Sequence, residues 1–424
     1  MKLGIKTFLV ILVSLVLITG TVFSVTNLRF FFPVQVAGAL AVLMDGVVED
    51  FNSEHPDIFV EPIYSGNYDQ TMQKSVTAAR GKNPPDVALL LAIDIFSLLD
   101  MNLIEDMDQF MVGEDADFTE PFYEGFLENS MIDGVTWSVP FQRSTPIFYY
   151  NKDHFREVGL DPENPPKTWE ELLEAAKKLT IKDSRGNVTR WGFEDITDDT
   201  WTIQAWILQA GGKYANETGT ESYFDTPEVA KAVEQWTYMA NVERVMPRHR
   251  TYGAASQDFV AGAASMMFNS TGSLSFVKNS ATFDFGVAPL PGEVKTAVPT
   301  GGGNLYIFKG IPEENKEAAW TFVKWLSKPE NSARWSIGTG YIPVRKDAFE
   351  TDALKEFAEG FPYILVARDQ LDVARREMAF HSNSQIREVF LTTLQNILDE
   401  RVSISAGLKQ LQEEVEMILA PFKQ

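Results

Sequence analysis

The sequence predicts an α/β fold built as two lobes, each a mainly parallel sheet flanked by helices. Three observations carry that expectation. Strand-like apolar runs alternate with amphipathic helical segments, the signature of βα units. About 400 residues remain after the N-terminal segment, too many for one ordinary core and suited to two. No Pro- or Ser-rich stretch separates independent domains, and no internal repeat or low-complexity tract is found.

Lys2 and Lys6 precede an apolar run from Thr7 to about Phe23, with Val22 and Ser24 placed for a signal peptidase. Residues 1–24 are therefore expected to be an export signal, with an uncleaved anchor as the alternative. Leu40, Leu43, Met44, Val47, Val48 and Phe51 recur at helical spacing, so 37–52 reads as an amphipathic helix. Phe59–Ile63 reads as a strand, Tyr68–Arg80 as a helix and Asp86–Ala92 as a fully apolar strand. Pro146–Tyr150, rich in aromatic and β-branched residues, reads as a strand that stops at a helix start, Asn151-Lys152-Asp153. Pro165 and Pro166 hold the approach to the next helix extended, and Thr168 with Glu171 forms a capping-box pattern. Thr226-Pro227-Glu228 starts a further helix with proline at its first position. Ala264–Phe268 and Phe283–Ala288 read as strands and Glu313–Leu326 as a helix. Beyond Pro343 the chain reads as almost wholly helical, with apolar stripes over Val389–Leu398 and Leu408–Leu419.

The composition excludes several functions. The 37 basic and 59 acidic residues give a net charge of −22, with no Lys/Arg-rich stripe, which argues against nucleic-acid binding. Cysteine is absent, so neither a disulfide framework nor a lipid-modified N-terminal cysteine is available. His55, His154, His249 and His381 lack metal-ligand spacing, and no cofactor or metal is expected. There is no G-x-S-x-G elbow, and Gly301-Gly302-Gly303 lacks the lysine of a phosphate-binding P-loop. The acidic pairs Glu170-Glu171 and Asp198-Asp199 fall in a helix cap and a loop. An exported glycoside hydrolase would instead need two carboxylates facing one cleft, near Tyr68 and Ser144. A binding protein, not an enzyme, is the expectation.

The segment PFQRSTPIFYYNKDHFREVGLDPENPPKTWEEL, starting at Pro140, resembles the first lobe-to-lobe crossing of the extracellular solute-binding proteins of ABC importers (family 1). Tyr64-Ser65-Gly66-Asn67-Tyr68, Ser270-Thr271-Gly272-Ser273-Leu274, Gly301-Gly302, Thr339-Gly340-Tyr341-Ile342-Pro343 and Gln385-Ile386-Arg387 extend the likeness, particularly to the glycerol-3-phosphate-binding branch. The resemblance implies a type II periplasmic-binding-protein fold with the ligand cleft between lobes. It divides the chain into 25–142 with 300–340, and 143–299 with 341–424. It implies an exported, monomeric protein that captures glycerol-3-phosphate, a glycerophosphodiester or a related phosphorylated polyol by hinge closure and delivers it to an ABC permease. A sugar or oligosaccharide binder of the same family, stacking ligand on Trp201 and Trp206, is the alternative.

Residues matching the branch's binding positions are Tyr68, Ser144, Trp201, Ser270, Gly302, Tyr341 and Arg387. Read singly, five of them have a plainer explanation: the serines as turn caps, Gly302 as a turn, Trp201 as core, Arg387 as a solvated surface cation. Arg387 is expected in the first turn of a helix beginning near Gln385, where free N–H groups and a guanidinium together favour an anion. Two positions depart from the branch. Ala92 stands in place of a carboxylate, with Asp94 two residues on, and Asp198 stands in place of a tryptophan.

Overall fold

The computed structural model describes residues 25–36 and 39–423; the expected export signal lies outside the described residues. The chain begins β1 (Thr26–Phe32), α1 (Leu40–Glu54), β2 (Ile58–Tyr64), α2 (Tyr68–Arg80), β3 (Val87–Leu91) and α3 (Ile95–Asp100). It continues through β4 (Val139–Ser144), β5 (Pro146–Asn151), α4 (Lys152–Glu157), α5 (Trp169–Leu179), α6 (Thr202–Gln209), α7 (Pro227–Thr237) and α8 (Tyr252–Val260). Then come β6 (Met266–Ser270), α9 (Leu274–Ser280), β7 (Phe285–Ala288), β8 (Gly301–Ile307), α10 (Glu313–Leu326) and α11 (Pro329–Thr339). After a segment that holds a helix at Asp352–Gly360 among shorter helical turns, α12 (Asn383–Leu398) and α13 (Ile404–Leu419) complete it.

The first lobe's sheet has the order β2-β1-β3-β8-β4. Its strands β1, β2 and β3 are parallel, as βα units require, and β8 runs antiparallel to both neighbours. β3 is buried at every position, which explains its unbroken apolar run. The second sheet, β6-β5-β7, corrects the expectation of a mainly parallel one: its central strand is antiparallel to both edges. The reason is connectivity. β5 enters from the first lobe with only Thr145 between it and β4, so it runs opposite to the β6–α9–β7 crossover unit that straddles it.

Local signals account for the helix ends. The Thr168 hydroxyl accepts from Glu171 N–H at 3.1 Å, but the Glu171 carboxylate accepts from Lys167 N–H at 2.7 Å, one residue earlier than the reciprocal capping box expects. Thr226 caps α7 ahead of Pro227, and Asn151 caps α4. Among the described residues the buried apolar side chains form four clusters, of which two are large. One joins the first sheet to α1 and α10 and runs on beneath β5, through Phe30, Val60, Leu305, Phe322, Ile147 and Met267. The other packs α5, α6, α7, α12 and α13 on the far face of the second sheet.

The strand ends that link the lobes lie side by side. Ser144 pairs with Gly301, and Arg143 forms a bridge with Ile342. Segment 341–371 touches both lobes: Val344 C=O accepts from Tyr123 N–H at 3.1 Å, while the Tyr363 hydroxyl donates to Phe285 C=O at 3.0 Å. No helix among the described residues is long and apolar enough to cross a membrane.

Candidate functional site

The seven residues named from sequence line one chamber between the lobes. Its volume is about 50 Å³, room for one or two water-sized groups. It opens past Asp69, Asp199, Tyr252 and Arg387 into an outer cleft of about 1180 Å³.

Tyr68 is brought there by the start of α2, where Asn67 and Gln70 form a capping box with bonds of 2.9 and 3.0 Å. Its hydroxyl accepts from Gln142 Nε2 at 2.7 Å, and the same amide donates to the Tyr341 hydroxyl at 3.3 Å. Burial raises both phenols well above their usual range, so each keeps a hydroxyl proton to donate. Glycines make room for the aromatic walls. A Cβ on Gly272 would lie 2.6 Å from the Tyr341 ring, and one on Gly301 would lie 2.4 Å from the Trp201 ring. Trp201, directly before α6, donates its indole N–H to Thr300 C=O at 2.9 Å.

Ser144 and Ser270 stand at the ends of β4 and β6. The Ser270 hydroxyl accepts from Gly272 N–H at 3.0 Å, so it holds a turn as well as facing the chamber. Gly302 has φ +92°, and a Cβ there would sit 2.0 Å from the Gln142 carbonyl. Strand pairing therefore requires this glycine, which also lines the chamber.

Arg387 departs from its expected setting. Helix α12 begins at Asn383, and Ser382, with φ 54°, makes no side-chain cap, so Arg387 lies beyond the first turn. Its side chain is 14% exposed and spans the cleft. Nη1 donates to Asp69 on α2 at 2.9 Å, and Nη2 lies 3.5 Å from Asp199 in the second lobe. Burial would lower its pKa, but Asp199, Asp69, Asp94 and Glu377 outweigh that and hold it above its ordinary value.

The sequence did not point to Asp69, Tyr252 or Glu377, and it placed Asp199 only in a loop. Glu377 is 5% exposed, lines the chamber, and its Oε2 has no hydrogen-bond partner. Burial pushes its carboxyl up to about 8, against the pull of Arg143 and Arg387. Asp94, just before α3, is pushed by burial up to about 7 against the pull of Arg387. Asp198 lines the outer cleft but not the chamber, accepting from Gln395 at 3.3 Å and lying 3.7 Å from His249. Trp206 is fully buried in the second lobe, its N–H bonded to Asp195 at 2.8 Å, so it offers no stacking face to the cleft.

A cleft between two α/β lobes, with hydroxyl, aromatic and guanidinium groups converging where the lobes join, defines a ligand-capturing protein. The family model for bacterial extracellular solute-binding proteins matches residues 46–361, and the chain belongs to that family. It is thus the extracytoplasmic solute-binding component of an ABC importer with the type II two-lobed fold, and it captures a small molecule.

Among its relatives, the sn-glycerol-3-phosphate-binding periplasmic protein UgpB of Escherichia coli K12 is 30% identical over 357 residues, 81% of this chain and 80% of that one. UgpB of Salmonella typhimurium is 27% identical, covering 94% of this chain and 92% of its own length. The crystal structure of Mycobacterium tuberculosis UgpB with glycerophosphocholine superposes with a TM-score of 0.82 at 26% identity, covering 92% of this chain and 98% of that one. A solute-binding protein from Thermotoga lettingae with bound tagatose, 23% identical, shares the fold at a TM-score of 0.81 over 93% of this chain and 100% of that one.

Proposed function

We propose that the chain captures glycerol-3-phosphate or a glycerophosphodiester in the cleft and presents it, lobes closed, to a membrane permease. Tyr68, Ser144, Trp201, Ser270, Gly302, Tyr341 and Arg387 would hold the ligand, with the anion on Arg387 and the hydroxyls around it. The observation that carries the reading is their convergence on one chamber, in a chain 30% identical to a glycerol-3-phosphate-binding protein. Lobes made of 25–142 with 300–340 and 143–299 with 341–424 would close by bending at the Ser144–Gly301 and Arg143–Ile342 pairs. The chain would act as a monomer.

A sugar-binding reading has one observation in its favour. Asp69 and Asp199 already engage Arg387, and Glu377 adds a third carboxyl to the chamber. Hydroxyl groups of a neutral sugar would satisfy such acceptors directly. These acids also meet the condition that a hydrolase reading set, carboxylates near Tyr68 and Ser144. Two of them are tied to the same arginine, however, and the UgpB relatives are binding proteins.

Isothermal calorimetry of residues 25–424 separates the readings, using glycerol-3-phosphate, glycerophosphocholine, inorganic phosphate, maltose and tagatose. Binding of the phosphoesters alone is expected. Binding of the sugars alone overturns the phosphoester reading, and turnover of any ligand, followed by chromatography, overturns the binding-protein reading.

A further inference from the structure

Glu377 is positioned as a contact rather than as packing. Its neighbours pin the backbone on both sides: the Tyr214 hydroxyl donates to Arg376 C=O at 2.6 Å, and Met378 N–H donates to Gln204 Oε1 at 2.9 Å. Its carboxyl therefore has a fixed station in the chamber, on the inner side, since the outer cleft is lined by Arg387 but not by Glu377. Two basic groups act on it. Arg387 serves Asp69 and Asp199, and Arg143, on β4, donates through Nη1 to Asn304 Oδ1 at 3.2 Å while its Nε and Nη2 have no hydrogen-bond partner; the pull of both cations on Glu377 is outweighed by burial. The remaining charged or titratable neighbours are Asp94 ahead of α3, Asp199 ahead of α6, and the phenols Tyr68, Tyr214 and Tyr252. None of these adds positive charge.

An anion seated against Ser144, Ser270 and Arg387 shares the same small chamber with this carboxyl. If ionised, Glu377 repels it across a poorly solvated gap; if protonated, it adds an O–H donor. We infer that Glu377 is a specificity-determining residue that couples capture of an anionic ligand to uptake of one proton, so that the site accepts the anion only beside a neutral carboxylic acid. No bond is made or broken beyond that proton, which comes from solvent. The inference rests on the phosphoester reading of the same site. In the free protein burial pushes Glu377 up to about 8, which puts the transition within reach of ordinary titration.

The test is calorimetry of the full exported chain with glycerophosphocholine, whose diester charge is constant over the range, and with glycerol-3-phosphate above pH 7.5. The wild type is expected to bind about tenfold more weakly at pH 9 than at pH 7. Its heats at pH 8.5 should differ between buffers of different ionisation enthalpy, reporting proton uptake. Glu377→Gln, a permanent mimic of the neutral acid, should bind at both pH values and take up no proton. Wild-type binding that is independent of pH and buffer overturns the inference even if the variant fails to fold. A pH dependence that persists in Glu377→Gln overturns it too. Absence of phosphoester binding in every buffer overturns the phosphoester reading and this inference with it, and is recognisable because there is no heat at all.

Discussion

Arg387 on α12 and Asp69 on α2 meet across the cleft at 2.9 Å, one partner from each lobe. The guanidinium is nearly buried while the Asp69 carboxylate is two-thirds exposed, so the pair joins the chamber to solvent. It ties the lobes together, and in the function proposed above its cation would also hold the ligand.

Replacing Arg387 by alanine is expected to abolish phosphoester binding in calorimetry, a loss of at least 100-fold, from removal of a charge-assisted contact of roughly 1.5–3 kcal/mol together with the uncompensated carboxylates around it. Asp69→Asn should weaken binding only a few-fold, because its carboxylate is mostly in water. Equal losses in the two variants would show that the tie, and not the cation, dominates.

Gly302→Ala forces a Cβ to within 2.0 Å of the Gln142 carbonyl at a backbone with φ +92°. The strain is expected to cost about 1–3 kcal/mol, lowering the thermal midpoint by several degrees and weakening ligand binding together. An unchanged midpoint would mean that the pairing of β8 with β4 at Gly302 yields easily.

Asp195 is buried in the second lobe, and its Oδ2 accepts from both Trp206 at 2.8 Å and Trp236 at 3.1 Å. Asp195→Ala leaves two buried indole N–H groups without a partner, at a cost of roughly 1–3 kcal/mol for each. Chemical denaturation should show a large loss of stability; a loss within error would show that the indoles find other acceptors.

Stability should also fall as pH rises. Glu194 goes from an ordinary value of 4.5 to about 8 in the folded protein, with burial as the main cause. Between those values the folded state holds more protons than the unfolded state, so raising the pH through that window destabilises it. Glu377 and Asp94 act in the same sense. The thermal midpoint is expected to be higher at pH 6 than at pH 8.5, and Glu194→Gln should narrow the gap by raising the value at pH 8.5. An equal gap in the variant would exclude Glu194 as its source.

Closure can be read separately. His381 in the second lobe lies 2.8 Å from Asp100 at the end of α3, and its ring stacks on Phe422. His381→Ala removes a contact between lobes without touching the chamber. Small-angle scattering of the variant with ligand should show a larger radius than the wild type, and an identical radius would assign closure to the inner contacts.

Much of this was legible because it is local. The bounds of α2 and α10 follow from residue patterns that a dozen or so residues contain, and Tyr68, Gly302 and Tyr341 stand beside glycine turns that mark where backbone comes close. Glu377 was not legible. It sits in a stretch with no helical or alternating period, between arginines and Met378-Ala379-Phe380, and only the tertiary path through Tyr214 and Gln204 turns it inward. Asp199 was visible as half of an acidic pair, but its adjacency gave no hint that Asp198 would line only the outer cleft while Asp199 reached the chamber and Arg387. The direction of β5 was hidden for the same reason: apolar content predicts a strand, whereas its sense depends on where the chain came from.

The position of β8 between β3 and β4 governs the order in which the molecule is made. Residues 26–144 supply four strands of that sheet, yet the two flanking the gap have no partner on their inner edges until residues 301–307 arrive. A chain synthesised from its N-terminus therefore carries an unfinished sheet through more than 150 residues of elongation, and pairings of such long sequence separation form slowly. Delayed completion keeps the polypeptide pliable while it is threaded outward, and it makes the bare edges of β3 and β4 the places where a chaperone, or an aggregating neighbour, would first take hold.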